Sequence, residues 1–382
     1  MKICFVGLDN LPVLAPEYRE HYIGGESVQQ TLLARALARR GHQVTMVVGD
    51  YGQADGARWD SIRTWKAYPA DAGIPVLRFI HPRWTGLWAA LERADADVYY
   101  TSCAGMQVGQ IALFCRRHGK RLVFRAASDS DCDPSRLLVR FARDRWLYGY
   151  GLRRSDAILV QSEWQARAMA QNYGLASRQA GMLVEQSPPA SVRDIDVLWV
   201  GNIRRVKRPE RALELAATLR TDVMHMAGGP MSGEEALYRE IHDAAASAGN
   251  VRFHGRLSYW EANELYGRAS VLVNTSDVEG FPNSYLQAWV RGVPVVTFID
   301  PDGVIRREGL GVAVSSPDRL ADAVRGLVHN RAAWQAASER CLAYVAREYG
   351  EEKVLPAYLD AFEGPGPGAG TTMVVANDAR AA

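Results

Sequence analysis

No apolar run in the 382 residues reaches membrane-spanning length, which excludes a spanning helix within them. Net charge is nearly absent. Lys and Arg number 45 against 43 Asp and Glu, a formal +2, so bulk electrostatics calls for no nucleic acid partner. Cysteine is scarce and scattered: Cys4, Cys103, Cys115, Cys132 and Cys341 contain no Cys-x-x-Cys pair. That excludes a disulfide framework or a zinc site and suggests reduced thiols in a cytoplasmic chain. The first residues, Met1 to Gly7, read as a strand running into a glycine turn, with no apolar leader and cleavage site. The tight Gly-x-Gly-x-x-Gly fingerprint is missing after that strand, which speaks against a dinucleotide-dependent dehydrogenase. No evident lysine for a pyridoxal Schiff base is seen, a weaker argument against a phosphorylase. His-Glu-x-x-His and Gly-x-Ser-x-Gly are absent as well, and no histidine occurs between His118 and His225.

What is present is alternation. Ile3 to Val6 reads as a buried strand, then Gly24-Gly25 precede a helix with Val28, Leu32, Leu33, Ala36 and Leu37 on one face. Val44 to Val48 is the next strand. Short apolar runs at Val98, Leu122 and Ile158 alternate with helical stretches at Gln110 to Arg117 and Trp164 to Tyr173. Such alternation predicts a parallel sheet covered by helices on both faces. Gln186 to Ser191, with paired prolines, reads as a linker. The pattern then restarts at Val197 to Gly201 and continues through Val223 to Ala227, Val251 to His254 and Val271 to Val273. The expected organisation is a domain over residues 1–187, a second over 188–345, a helix at 346–363 returning to the first domain, and a disordered tail at 364–382.

The chain centres on Asn274 to Gln287, a polar loop between the strand Val271 to Val273 and a helix from Tyr285. In an open parallel sheet, ligands bind at the carboxyl ends of strands. Pro282 suits the first helical position, and the free N–H groups behind it favour an anion such as a phosphate. Gln287 lies on the same helical stripe as Asn283. A second loop, Gly201 to Pro209, crowds Arg204, Arg205, Lys207 and Arg208 together. They repel one another unless an anion or water screens them. A donor diphosphate fits, and a solvated basic loop is the plainer alternative.

The segment from Glu279 to the turn Gly292-Val293-Pro294 resembles the donor-sugar signature of the retaining glycosyltransferases of family 4. That signature has a second Glu where this chain has Gln287. The resemblance covers about residues 1 to 362 and is strongest from Val197 to Val296. It implies an α/β chain of the GT-B fold, two Rossmann-like domains with parallel sheets facing across a cleft. It also implies transfer from a nucleotide-diphosphate sugar to a saccharide, lipid-linked or small-molecule acceptor. Catalytic roles fall on Glu279 and Lys207. Donor contacts fall on Gly25, Asn202, Arg204, Arg205, Lys207, Gly280, Phe281, Pro282, Asn283 and Gln287. The acceptor side is Gly24, Ser128 and Asp129. In the family an Arg often follows the first glycine of the basic loop. Asn202 stands there, so that role passes to Arg204 or Arg205 or is lost. The family's cleft-wall His-Asp is replaced by Ser128-Asp129. A nucleotide-sugar-binding protein with little turnover is the alternative these departures encourage.

Two further stretches carry competing readings. Ser128-Asp129-Ser130-Asp131-Cys132-Asp133 invites a metal, but Pro134 and Arg140 break a calcium loop. A manganese Asp-x-Asp belongs to a one-domain fold. Asp133 ahead of Pro134 reads as a helix cap, and no metal is expected. Ser135 to Arg154 reads as a helix in which six arginines interleave with Leu137, Leu138, Phe141, Trp146 and Tyr148. It is either core-packed with a solvated arginine face or a peripheral contact with an anionic membrane surface. His225, within a strand, is expected to be a satisfied core residue.

Overall fold

A computed structural model describes residues 1–21, 23–75, 77–187 and 192–364. The strands are β1 (Lys2–Val6), β2 (Gln43–Val48), β3 (Arg58–Trp59), β4 (Ile62–Lys66), β5 (Val98–Ser102), β6 (Arg121–Arg125), β7 (Ala157–Val160) and β8 (Arg178–Gln179). The second set is β9 (Ile195–Val200), β10 (Met224–Ala227), β11 (Val251–Phe253), β12 (Ala269–Asn274), β13 (Val295–Thr297) and β14 (Gly311–Ala313). The first eight form one sheet in the order β3-β4-β2-β1-β5-β6-β7-β8, and the last six another in the order β11-β10-β9-β12-β13-β14. Every pairing is parallel except β3 with β4. Strand order reverses between β1 and β5 in the first sheet, and between β9 and β12 in the second. Those two reversals are the places where loops diverge and leave a crevice.

The buried strand residues explain the layers. Ile3 and Phe5 of β1, with Val44 and Met46 of β2, bury one face of the helix Gly25–Arg39 through Val28, Leu33 and Leu37. The final helix, Glu351–Glu363, belongs to this same core. Its Leu355, Tyr358 and Phe362 are buried, and Tyr100 of β5 lies edge-on to Phe362 at 5.8 Å between ring centroids. Arg121 Nε donates to the Ala361 carbonyl at 2.8 Å. The preceding helix, Arg331–Glu348, packs instead on the second domain, where Cys341 and Val345 join the cluster around Trp289. The chain therefore crosses between domains twice, once after Glu185 and again at Tyr349-Gly350.

Several sequence expectations are corrected. The stretch Ser135 to Arg154 is helical only over Ala142–Leu152. Asp133 does not cap a helix; its carboxylate accepts from the Ser135 amide and hydroxyl and closes a turn. Leu137 then enters the core beside Phe124 and Tyr148, and the segment stays outside any helix until Ala142. The true cap is Ser128, whose partner Asp131 completes a capping box on the short turn Asp129–Cys132. Pro282 sits one position earlier than expected, as the N-cap of the helix Asn283–Trp289. His225 is half-buried, not core, with Nδ1 3.0 Å from Nε2 of the exposed His254. Partial desolvation of the two rings, with the neighbouring His254 acting on His225 and the Arg268 charge on both, holds them below the usual imidazole range. The strand β4 went unread: Ile62-Arg63-Thr64-Trp65-Lys66 puts only Ile62 and Thr64 inward. From residue 188 the expected linker lies outside the described residues, as does the expected tail from residue 365.

Candidate donor and acceptor site

Two loops leave the second sheet at its reversal, one from β9 and one from β12, and they are clamped together. The Thr275 hydroxyl donates to the Lys207 carbonyl at 2.8 Å and accepts from Trp199 Nε1 at 2.9 Å. The Asp277 amide donates to the Val206 carbonyl at 2.9 Å. With its backbone so fixed, Lys207 aims Nζ at Glu279 Oε1, 2.5 Å away. The Ser276 hydroxyl at 2.6 Å and Asn274 Nδ2 at 3.3 Å also donate to that carboxylate. Burial pushes the Glu279 carboxyl up, but Lys207 and these donors outweigh it and hold it below the usual carboxylate range. The result is an ionised carboxylate and an ammonium side by side at the mouth of the second sheet.

The rest of the basic loop divides by partner. Arg208 pairs with Glu210 and Asp277, Arg211 with Asp277, and the exposed Arg205 with Glu234 at 3.7 Å. Arg204 has no carboxylate partner among the described residues. Of the two arginines left open by sequence, Arg204 is the one with a free charge.

The first domain meets this site directly. Phe281, at the end of the Glu279 loop, donates its amide to Gln161 Oε1 at 2.7 Å. A Cβ on Gly280 would stand 2.5 Å from the same oxygen and 2.9 Å from the Ala127 carbonyl, so only glycine permits the approach. Gln161 follows β7, and its backbone amide donates to Gln165 Oε1 at 2.8 Å. Gln165 Nε2 in turn donates to Asp129 Oδ1 at 3.0 Å. Asp129, beside the cap Ser128, is thus linked to Phe281 through two side chains, Gln161 and Gln165. Gly25 accepts from Asn283 Nδ2 through its carbonyl, and Ile23 accepts from Asn202 Nδ2 at 3.2 Å. Glu26, the next residue, pairs at 2.9 Å with the fully buried Arg125 of β6, which fixes the helix start behind the glycine pair. From across the cleft, Asp302 accepts from the amides of Glu163 at 2.9 Å and Trp164 at 3.3 Å, at the first turn of Glu163–Tyr173.

Two family models match this chain: "Glycosyl transferases group 1" over residues 194–330, and "Glycosyl transferase 4-like domain" over residues 24–183. The chain belongs to the group 1 glycosyltransferases. No curated protein matches its sequence. Among solved structures, sucrose-phosphate synthase from Thermosynechococcus elongatus superposes with a TM-score of 0.74 at 15% identity, covering 94% of this chain and 98% of that one. Anabaena HepE, in complex with UDP and glucose, gives 0.72 at 14% identity, covering 95% and 100%. A mutant of S. aureus TarM, in complex with UDP, Fondaparinux and alpha-GlcNAc-glycerol, gives 0.62 at 16% identity and covers 74% of this chain. The chain spans 59% of TarM's length. These likenesses establish the two-domain GT-B fold for this glycosyltransferase.

One residue of the donor-sugar signature takes its partners outside the Lys207 cluster. Gln287 of the glycosyltransferase is buried, with Oε1 accepting from Arg291 at 3.1 Å and Nε2 donating to the Tyr259 hydroxyl at 3.4 Å. Gln287→Leu would remove one of two partners from each group, since Arg291 Nη1 keeps the backbone carbonyl of residue 287 and the Tyr259 hydroxyl keeps Glu185, and should cost about 1 kcal/mol of stability. It should also weaken nucleotide-diphosphate binding, while Gln287→Glu, facing Arg291, should keep both. Denaturation and calorimetric titration of the three forms check this. A Leu variant with lower stability but unchanged nucleotide affinity would confine the side chain to a packing role.

The aspartates of the 128–133 loop are engaged. Asp131 accepts from the amides of Ala127 at 2.8 Å and Ser128 at 3.2 Å, and Asp129 accepts from Gln165. Burial pushes both carboxyls up, each to about 6. Among the described residues, no three His, Cys, Asp or Glu side chains gather as metal ligands would. Sequence alone missed Gln161, Gln165, Asn274, Ser276 and Asp302. Only Asn274 and Ser276 had a local signal, being polar residues between a strand and Glu279.

Proposed function

We propose that this glycosyltransferase moves a sugar from a nucleotide-diphosphate sugar to an acceptor hydroxyl, and that the new bond keeps the donor's anomeric configuration. The observation that carries the reading is the Lys207–Glu279 pair at the strand-order reversal, beside the Phe281 amide. Departure of the nucleotide leaves negative charge growing on its diphosphate. Lys207, Arg204 and the amides at the start of Asn283–Trp289 would stabilise that charge. Glu279, held ionised, would accept from sugar hydroxyls and orient the anomeric carbon. Lys207 and the Phe281 amide are engaged by Glu279 and Gln161 in this structure, so a donor would exchange those partners for its own. The nucleoside diphosphate fits what HepE and TarM hold on the same fold. Gly24, Ser128 and Asp129 would form the acceptor side, and a saccharide, lipid-linked or small-molecule hydroxyl is the expected acceptor, in polysaccharide or glycoconjugate synthesis. Five scattered thiols fit a cytoplasmic setting.

The test is a panel of nucleotide sugars with saccharide acceptors, read by NMR of the new anomeric centre. A retained configuration is expected, and an inverted one overturns the assignment. Donor binding without turnover across the panel would favour the binding-only alternative. No bridging metal is needed in this scheme, because diphosphate charge is met by Lys207, Arg204 and a helix start. Transfer should therefore survive exhaustive chelation. Loss on chelation, restored by manganese or magnesium, would return a metal to the Asp129 loop.

A further inference from the structure

Nine large apolar side chains stand exposed among the described residues, and six of them fall in two short stretches of the first domain. Ile74, Leu77 and Ile80 lie between β4 and the helix Thr85–Ala94; Leu138, Phe141 and Trp146 follow β6. The two stretches meet, since the Arg143 guanidinium lies 3.5 Å from the centre of the Phe79 ring. Eight arginines are interleaved with these residues, at 78, 83, 136, 140, 143, 145, 153 and 154, against a single acid, Asp144, which Arg143 pairs. In a chain whose total is only +2, this is a strong local excess. Arg145, Arg153 and Arg154 also line, with Trp146, Tyr150 and Tyr173, a surface cavity of about 490 Å³. Trp146 and Tyr150 stack at 5.7 Å, so the apolar patch runs into that basic cavity.

We propose that this face docks on an anionic lipid bilayer. Exposed Leu, Ile, Phe and Trp beside arginines is the pattern of a peripheral membrane surface: the apolar groups enter the headgroup region while the guanidiniums meet lipid phosphates. A protein partner would need a matching acidic surface, and a second copy would bring eight like charges against eight. The anionic bilayer satisfies both features at once. Both stretches leave the carboxyl ends of β4 and β6, the side of the sheet that carries Ser128 and Asp129. A membrane docked there would lie beside the acceptor side of the cleft. The inference does not depend on the transfer reading, because its test needs no turnover.

The experiment is co-sedimentation of the full chain with vesicles of phosphatidylcholine and phosphatidylglycerol in equal parts, and with phosphatidylcholine alone. Binding to the first, little to the second, and weakening with added salt are expected. Arg140→Ala with Arg143→Ala should lower partitioning roughly 20- to 30-fold, at about fivefold per arginine near a charged surface. Leu138→Ser, Phe141→Ser and Trp146→Ser combined should abolish it. All these side chains are exposed, so thermal unfolding should stay close to wild type and report intact folding. Equal binding to neutral vesicles, no binding to either, or variants that sediment like wild type would each overturn the proposal. So would a dimer, seen by analytical ultracentrifugation, that the triple variant abolishes in a chain indifferent to vesicles.

Discussion

Glu279→Ala is expected to lose roughly 10²-fold or more in turnover while binding bare nucleoside diphosphate almost normally. A group that orients the sugar acts on the transition state and leaves the rest of the donor's binding alone. The geometry sharpens this expectation. Glu279 Oε1 holds the Lys207 ammonium at 2.5 Å, so removal of the carboxylate frees Lys207 for a diphosphate. Nucleotide affinity should thus hold or rise, while kcat falls. Glu279→Gln offers a control that keeps hydrogen bonds to Ser276 and Asn274 but loses the charge. Turnover by Glu279→Ala equal to wild type would take this carboxylate out of the mechanism and leave the fold untouched.

Lys207→Ala is expected to do the reverse. Loss of a charge-assisted contact to a diphosphate costs on the order of 2–5 kcal/mol, or about 30-fold and more in affinity. The variant also leaves the Glu279 carboxylate without its cation. Since Lys207 is the chief influence holding that carboxyl down, its loss should let burial push it up. Nucleotide-diphosphate titration is the readout, and affinity unchanged from wild type would reject the role. Together the two variants separate sugar orientation from phosphate binding, which a single activity assay would merge.

The strand–loop–helix around Glu279 was legible because its information is local. A strand, a polar run with Glu279-Gly280-Phe281-Pro282, and a Gly-x-Pro stop occur within some twenty residues. The basic loop was legible for the same reason, though not which arginine stays free: that depends on Glu234, Glu210 and Asp277, and Asp277 is far from it in sequence. The contacts across the cleft could not be read. Gln161 and Phe281 are 120 positions apart, and nothing in the run around Gln161 distinguishes it from a surface amide. The Ser135 to Phe141 segment misled for a physical reason: its apolar spacing fits a helix, but Leu137 alone is drawn inward while Leu138 and Phe141 remain in solvent. Gln287 reads as a ribose contact by its place in the signature, whereas the structure gives its amide to Arg291 and Tyr259.

The return of Glu351–Glu363 to the first sheet bears on how the chain is made. Synthesis delivers β1 to β8 before the second domain, yet the helix that covers Tyr100, Val123 and Leu159 emerges only after that whole domain. Until then the part of that face over β5 to β7 stays bare, and bare apolar sheet surface is what chaperones bind and what aggregates. The second domain, whose own core closes with Arg331–Glu348, is complete a few residues earlier. Of the two domains, the one begun earlier is therefore finished later, and a nascent chain stalled before residue 351 would present a whole second domain joined to an unfinished first one.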